Sequence, residues 1–295
     1  MIVSLVILAT LTFFLLRFLP GGPFDETAAL HPLVKENLSQ QWALQESFPA
    51  QISHYLVSAF QGKFGVSLVH PDQTVMEIIA RSWASSLGLC AITLIFVLLG
   101  SLTVVFLSVR FRGTWFETWL DQSMIAMLSL PSLFWGPLLI YLFGFYFNLL
   151  PVAFLSSPAH YILPVLTLGF RPLAILVRLL KSSVTENLDL DYVRTARAKG
   201  VSFWNVIFHH VLRNSLIPFL SYVGNIITSL MSGSFLVEML FAIPGLGSQF
   251  IAALADRDYT LIVGLTLVYG ALLIIINSLM DILMRWADPR LRESA

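Results

Sequence analysis

The longest stretch without a charged residue covers residues 122–170, and it constrains the fold more than any other feature of the chain. It is 49 residues long, whereas one membrane-spanning helix needs about 20 apolar residues. The stretch therefore predicts two crossings joined by a turn. Turn-forming residues near its middle mark that turn: Asn148, Pro151, Ser156, Ser157 and Pro158.

Four further apolar runs predict four more crossings, at residues 2–16, 82–109, 214–237 and 259–280. Only 12% of the residues are charged, against roughly 25% in soluble domains. The alternation expected of a transmembrane β-barrel is not visible, and every backbone group inside lipid must be satisfied within its own segment. The sequence thus predicts an all-α polytopic membrane protein with six transmembrane helices.

The basic residues predict the orientation. If the N-terminus is inside, the inner segments carry eleven of them: Arg110, Arg112, Arg178, Lys181, Arg194, Arg197, Lys199, Arg213, Arg285, Arg290 and Arg292. The outer segments then carry five: Arg17, Lys35, Lys63, Arg81 and Arg257. Cytoplasmic loops carry the excess of Lys and Arg, so we expect both termini in the cytoplasm of a bacterial inner membrane.

These spans divide the chain into a first transmembrane helix (1–19), an outer loop (20–81), a five-helix core (82–285) with a cytoplasmic loop (181–213), and a cytoplasmic tail (286–295). The first span is short, since 16 residues before Arg17 give about 24 Å of helix against a hydrocarbon core of roughly 30 Å. No basic segment precedes it, so either the helix runs on through Phe18 and Leu19 or the true start lies upstream.

The outer loop contains two patterns typical of amphipathic helices. The first consists of apolar residues at helical spacing: Ile52, Tyr55, Leu56, Ala59 and Phe60. The second begins at a cap, either Asp72 or Thr74, and has one apolar face made of Val75, Ile78 and Ile79. We expect the second helix to lead into the second span.

A charged segment at residues 191–200 reads DYVRTARAKG and predicts a short helix. Asp191 is a suitable N-cap, and Gly200 can end the helix in a left-handed turn. The basic side chains of Arg197 and Lys199 lie near the C-terminal end, where the helix dipole favours them. Ser202 can cap a second helix. The segment fits an ordinary cytoplasmic loop as well as a docking element; in the latter case the small Ala196 and Ala198 permit close approach of a partner.

Polar residues within the spans are candidates for a translocation path. Arg171 precedes Pro172, which predicts a kink, and it suits either an aqueous cavity or a structural pairing. Asn225, Ser229 and Ser232 share one helix face, which suits either a path or helix packing. Glu238 ends the fifth span, and we expect it at the membrane interface, with an outer gate as the alternative. Residues 241–247 break the helix into a turn or re-entrant loop.

Several chemistries have no motif in this chain. There is no phosphate-binding G-x-x-x-x-G-K-[ST] loop, no H-E-x-x-H and no G-x-S-x-G, which argues against an ATPase and an intramembrane hydrolase. His209 and His210 are adjacent, so they face different sides of a helix, and we predict no metal site. Carboxylates are missing from 82–116 and 122–185, which argues against an ion-coupled secondary transporter. Nothing indicates nucleic-acid binding, and the single cysteine, Cys90, suits packing.

At this point a family resemblance is evident. The segment DYVRTARAKG, followed by Ser202, His210 and LRNSLIP at 212–218, resembles the cytoplasmic signature loop of bacterial ABC-importer permeases of the peptide/nickel branch. Further matches occur in the expected order along nearly the whole chain: FLPGGPFD at 18–25, LPSLFWGPLL at 130–139, FLVEMLFAIPGLG at 235–247, RDY at 257–259 and DPRLR at 288–292. The set is most similar to the B-type membrane subunit of an oligopeptide importer.

The resemblance implies the type I permease fold of ABC importers and several partners. These are a homologous C-type permease, two cytoplasmic ATPases that bind ATP and Mg²⁺, a periplasmic or lipid-anchored peptide-binding protein, and membrane lipid. This chain would bind no cofactor and would not be an enzyme. The resemblance also implies that a coupling helix contacts an ATPase through Asp191, Tyr192, Arg194, Thr195, Ala196, Arg197, Ala198, Lys199 and Gly200.

The resemblance extends to the centre of the signature loop and is compatible with several cargoes. Arg194, Thr195 and Ala196 occupy the positions of the wider family's Glu-Ala-Ala, and the arginine is usual for the peptide branch. Cargo is not fixed by the sequence, because the binding protein selects it in such systems. Dipeptide, nickel chelate, glutathione and antimicrobial peptide remain alternatives to oligopeptide.

Overall fold

The computed structural model describes residues 2–18 and 46–287, and within these ranges the chain is helical without a β-strand. One isolated antiparallel bridge joins Val66 and Thr74. The described residues do not include the first part of the outer loop or the end of the tail. Most of the motif FLPGGPFD and all of the motif DPRLR therefore lie outside them. The helices are α1 Ile2–Phe18, α2 Phe48–Phe60, α3 Val75–Arg110, α4 Trp115–Ser129, α5 Ser132–Leu139, α6 Ile162–Leu188, α7 Asp191–Ala198, α8 Phe203–Asn205, α9 Leu212–Leu240, α10 Leu246–Asp256 and α11 Tyr259–Ala287.

Four helical segments are long and apolar enough to cross a membrane: Val75–Arg110, Pro158–Leu188, Pro218–Leu240 and Tyr259–Met280. They correspond to the predicted second, fourth, fifth and sixth spans. The predicted third span is a bent pair, in which Trp115–Ser129 and Ser132–Tyr146 meet at 106°. The first helix, α1, has 17 residues and is shorter than a typical span, so the total of six stays a prediction.

The break between α4 and α5 has a local cause at Leu130 and Pro131. A proline disfavours helical backbone in the preceding residue, and Leu130 is extended, with φ −98° and ψ 136°. Pro131 then precedes the first turn of α5, where a new helix can begin without its missing N–H. A π-helical turn, Ile140–Tyr146, continues α5, and irregular chain follows it, where the sequence predicts a turn.

The chain divides into two compact units, and the first comprises residues 2–18, 46–88 and 242–278 among those described. Here α1 and α2 pack together through the rings of Phe13 and Tyr55, whose centroids are 5.3 Å apart. Tyr55 is buried, and burial raises the pKa of its hydroxyl above the ordinary value. Phe60, the last residue of α2, is exposed.

The start of α3 matches the prediction from the second apolar pattern. Thr74 and Glu77 form a reciprocal cap: the Thr74 N–H donates to Glu77 Oε2 at 2.9 Å, and the Glu77 N–H donates to Thr74 Oγ1 at 3.3 Å. The predicted apolar face is fully buried, at Val75, Ile78 and Ile79. This capped segment continues without interruption as the second span.

Asp258, directly before α11, is the centre of a hydrogen-bond cluster in the first unit. Its side chain is buried, and it accepts hydrogen bonds from the hydroxyl of Ser67, from the Leu68 N–H at 3.1 Å and from the Leu261 N–H at 3.1 Å. Thr260 Oγ1 lies 2.9 Å from both the Val66 carbonyl oxygen and Asp258 Oδ1, and its single hydrogen is shared between these two acceptors. Asp258 thus caps α11 and holds residues 66–68 against its first turn.

The second unit comprises residues 89–241 and 279–287 among those described, and α6 is its central helix. α6 packs against α4, α5 and α9 through fully buried leucines, among them Leu163, Leu176 and Leu180. The helix continues through Pro172. Gly136 of α5 allows close approach of α9, because a Cβ there would lie 2.2 Å from Leu240 Cδ2.

Candidate functional site: the short helix between two spans

The predicted docking segment forms α7, an eight-residue helix in the connection between α6 and α9. Two residues, Asp189 and Leu190, link α6 to α7. Leu190 is the N-cap, and its carbonyl accepts the N–H groups of Val193 at 3.0 Å and Arg194 at 3.3 Å. The prediction that Asp191 is the cap is therefore wrong by one residue. Asp191 lies in the first turn instead, where the helix dipole still stabilises a negatively charged carboxylate.

The C-terminal end of α7 is fixed by Gly200, as predicted. Gly200 has φ +80°, and its N–H donates to the Arg197 carbonyl at 2.9 Å. The next N–H, of Val201, reaches back to the Ala196 carbonyl at 3.2 Å. These two bonds define a Schellman motif, which satisfies carbonyl groups that the end of a helix leaves open.

α7 has one buried and one exposed face. Val193 and Ala196 are buried against the rest of the unit. The exposed positions include the remaining predicted contact residues: Asp191, Tyr192, Arg194, Thr195, Arg197, Ala198, Lys199 and Gly200. Ala196 therefore differs from Ala198, because only Ala198 offers a small side chain to a partner. Three cations and one carboxylate make the exposed face electropositive.

Hydrogen bonds tie α7 to the helices on both sides of it. The Tyr192 hydroxyl donates to Asn187 Oδ1 at 2.9 Å and accepts from Asn214 Nδ2 at 3.4 Å. Asn187 Nδ2 in turn donates to the Ser183 carbonyl at 2.9 Å and to Ser215 Oγ at 3.3 Å. Asn187 and Ser183 belong to α6, whereas Asn214 and Ser215 belong to the first turn of α9.

The chain returns from α7 to α9 through an aromatic segment. Ser202 precedes the short α8, as predicted, and its carbonyl accepts the Val206 N–H at 3.0 Å. A π-helical turn, Val206–Val211, then leads into α9. Trp204 and Phe208 pack on Phe106 of α3, with ring centroids 6.5 and 5.0 Å from it. Half-exposed aromatic rings of this kind are typical of a membrane–water interface.

The predicted path residues separate into two groups. Asn225, Ser229 and Ser232 lie together on an exposed face of α9, and Arg171 is exposed on α6. Glu238 is fully buried and does not share the exposed face, and its place at the membrane interface stays a prediction. Its spacing relative to Ser234, which is also buried, places both on the inward side of α9.

An open groove of about 580 Å³ lies beside α6, between the ends of α4 and α9. Polar and apolar side chains line it, among them Arg178, Ser182, Glu186, Leu128 and Pro218. Arg178 lies two helical turns from Arg171, so both arginines project from the same side of α6.

A cluster of three charges, which the sequence alone did not reveal, joins α4 to α6. Lys181 Nζ lies 2.8 Å from Glu117 Oε1 and 2.7 Å from Asp121 Oδ1. The two carboxylates are one helical turn apart on α4, so a single ammonium group contacts both. In the described part of the chain, no group of three His, Cys, Asp or Glu side chains has the arrangement of a metal site.

Solved structures share this architecture. A crystal structure of an amino acid ABC transporter with histidines matches with a TM-score of 0.57 and 14% identity, over 71% of this chain and 94% of that one. The MetNI methionine ABC transporter in an inward-facing conformation matches with a TM-score of 0.60 and 14% identity, over 72% and 97%. At this identity the likeness shows the fold alone, which is that of a type I permease of ABC importers.

The fold and its short connecting helix thus define a multi-pass membrane permease. Residues 97–293 match the family model of the binding-protein-dependent transport system inner membrane component, and the chain belongs to this family. It is 36% identical to the dipeptide transport system permease protein DppB of Bacillus subtilis (strain 168), over 99% of this chain and 95% of that protein. It is 33% identical to the oligopeptide transport system permease protein OppB of Haemophilus influenzae, over 98% and 95%.

Proposed function

We propose that this chain is a membrane-spanning subunit of an ATP-driven peptide importer and forms half of its translocation path. The observation that carries the proposal is the match, over nearly the whole chain, to permeases of dipeptide and oligopeptide transport systems. The other half of the path is a homologous C-type permease. A periplasmic or lipid-anchored binding protein delivers the peptide to the outer side.

In this proposal the chain is not an enzyme. Two cytoplasmic ATPase subunits bind ATP and Mg²⁺ and hydrolyse the nucleotide, and this chain binds no cofactor. The absence of a phosphate-binding loop from the sequence supports this division of labour. Membrane lipid surrounds the outer faces of the spans.

The exposed face of α7 is the proposed contact with an ATPase. Support comes from its well-capped ends, its small Ala198, and its place between two spans. An excess of basic residues in the same loop supports a cytoplasmic location for α7 and for both termini. The electropositive face of α7 predicts carboxylates in the ATPase groove that receives it.

The proposed mechanism is alternating access. ATP binding closes the ATPase pair and carries α7 with it, which tilts α6 and α9 so that the cavity opens to the outside. Hydrolysis and release reverse the motion. A short helix transmits a rigid-body movement only if it is stiff and firmly attached at both ends.

The proposed path lies along the exposed Asn225, Ser229 and Ser232 and the exposed Arg171. A peptide has a polar backbone and a terminal carboxylate, so amide, hydroxyl and guanidinium groups suit it better than an apolar wall does. Such groups are costly against lipid, which supports a path or a subunit interface at these faces. The buried Glu238 stays outside this path.

Co-purification from native membrane tests the proposed assembly. An affinity tag on this chain is expected to recover a second permease and two ATPases in stoichiometric amounts. The purified complex is placed in liposomes, with the binding protein outside. It is expected to accumulate labelled tri- to pentapeptides only when ATP is enclosed on the inner side, where the ATPases lie.

Competition in the same assay assigns the cargo. Unlabelled dipeptide, oligopeptide, glutathione and a nickel chelate are added one at a time, and the peptides are expected to compete best. Preference for the nickel chelate or glutathione would retain the ABC assignment and replace the cargo. Solute accumulation by this chain alone, driven by an ion gradient without ATPases, would overturn the proposed function.

A further inference from the structure

We propose that Tyr192 is a positioning residue that couples α7 to both neighbouring spans, through a brace formed by Tyr192, Asn187, Asn214 and Ser215. The inference rests on the proposed function of α7 as the contact with an ATPase. It assigns the transmission of movement to the Tyr192 hydroxyl on α7 and to the side-chain amide of Asn187, which accepts the hydrogen bond from this hydroxyl.

The geometry of the brace places a single side chain at the junction of three segments. Tyr192 lies on α7, and its hydroxyl donates to Asn187 in the last turns of α6 at 2.9 Å. The same oxygen accepts from Asn214 in the first turn of α9 at 3.4 Å. It also lies 3.5 Å from the carbonyl oxygen of His210, at the end of the π-helical turn. The hydroxyl therefore has partners in α6, in the π-helical turn and in α9.

Asn187 closes the brace between the two spans. Its amide nitrogen donates to the Ser215 hydroxyl at 3.3 Å, and Ser215 is fully buried. The Ser183 carbonyl accepts a second bond from the same nitrogen at 2.9 Å, which orients the amide plane. With its oxygen accepting from Tyr192, Asn187 connects all three segments at once.

The remaining attachments of α7 do not restrict its orientation in the same way. Val193 and Ala196 bury small apolar surfaces, which resist separation of α7 from the unit but resist sliding weakly, because apolar contact has no direction. The linker 189–190 tethers one end of the helix to α6, and residues 199–202 tether the other end to α8. Hydrogen bonds are directional, so those from Tyr192 to both α6 and α9 restrict the orientation of α7, which the other attachments do not.

Tyr192→Phe removes the hydroxyl and keeps the ring, so it tests the brace with little change in packing. In the complete transporter in liposomes, we expect the amount of peptide imported per ATP hydrolysed to fall about fivefold, the factor that corresponds to one typical net hydrogen bond. The amount of ATPase that co-purifies with the variant is measured alongside, so that the ratio is compared only between assembled complexes. Tyr146→Phe is the matched control, because Tyr146 is exposed and its hydroxyl has no hydrogen bond among the described residues.

Asn187→Ala provides the second arm. If both side chains act in one brace, the double variant is expected to import as much peptide per ATP as the worse single variant, rather than showing the product of two losses. Multiplicative losses would overturn the shared role. An unchanged ratio of import to hydrolysis in Tyr192→Phe complexes that retain both ATPases would overturn the positioning role.

Amide hydrogen exchange of the chain by itself in lipid nanodiscs separates the brace from the proposed function. Tyr192→Phe is expected to accelerate exchange in α7 about fivefold relative to the middle of α6, whether or not the transporter imports peptide. Equal exchange in the variant and the wild type would overturn the brace. Failure of the wild-type transporter to import peptide would instead count against the proposed function alone.

Discussion

Lys181 on α6 forms an ion pair with Glu117 on α4, and the Nζ to Oε1 distance is 2.8 Å. Both side chains are about four-fifths buried, with exposed fractions of 21% and 20%. Asp121, one turn further along α4, accepts a second bond from the same ammonium group at 2.7 Å. Glu117 also accepts the Gly113 N–H at 2.7 Å, so the pair is anchored to the turn that precedes α4.

Replacing Lys181 with methionine is expected to destabilise the pairing of α4 with α6. It leaves two carboxylates one turn apart on a helix, without the cation that compensates them. Removing one partner costs about 3–5 kcal/mol for a buried pair and less than about 1 kcal/mol for an exposed one, so we expect a loss of about 1–3 kcal/mol. A lower Tm of the purified protein in nanodiscs measures the effect.

The triple variant Lys181→Met, Glu117→Gln, Asp121→Asn is the control. It removes all three charges and leaves no uncompensated carboxylate, so its Tm is expected to recover most of the loss. If the triple variant were less stable than Lys181→Met, the repulsion between Glu117 and Asp121 would not be the cause.

Four of the six predicted spans are confirmed, because a membrane crossing needs a certain length of apolar chain and this length can be read from the sequence. Local signals were equally reliable at the Thr74 cap and at Gly200, where the backbone conformation depends on neighbouring residues only. The break at Leu130 and Pro131 also had a local signal, in the proline itself. It was not predicted because the apolar pattern continues across it.

The missed features all depend on contacts between distant parts of the chain. Nothing in the sequence pairs Lys181 with Glu117, or Tyr192 with Asn214, because the partners belong to different helices. The same limit applies to the burial of Glu238, which follows from the packing of α9 and not from its position after an apolar run. Residue type identified the polar face of α9, but not what the face contacts.

Gly200→Ala is expected to weaken the end of α7. A Cβ at this position meets no atom within 4 Å, so the cost comes from the left-handed backbone conformation and amounts to about 1 kcal/mol. Amide hydrogen exchange at residues 196–201 is expected to increase about fivefold. Gly200→Asn is the matched control, since asparagine adopts this conformation more readily; equal exchange in both variants would show that the backbone conformation is not the cause.

Ser67→Ala is expected to destabilise the start of α11. The substitution removes the hydroxyl that donates to the buried Asp258 carboxylate, and an incompletely satisfied buried acceptor costs about 1–3 kcal/mol. The Tm should fall, and exchange of the Leu68 and Leu261 amides should increase. Ser53→Ala is the control, because Ser53 is an exposed serine whose hydroxyl, among the residues that the structure describes, bonds only to the Ala50 carbonyl of its own helix. A Ser67→Ala protein as stable as Ser53→Ala would contradict the assigned role of Ser67.

Tryptophan at Ala198 and at Ala196 is expected to separate docking from folding, because the two alanines lie on opposite faces of α7. Ala198 is exposed, so Ala198→Trp should leave the Tm unchanged and reduce the amount of ATPase that co-purifies with the permease. Ala196 is buried, so Ala196→Trp should overpack the contact with the unit and lower the stability by about 1–3 kcal/mol. Ala198→Ser, which adds a single oxygen, is the control for Ala198→Trp and should retain the ATPase. Full recovery of ATPase with Ala198→Trp would show that this face of α7 does not contact it.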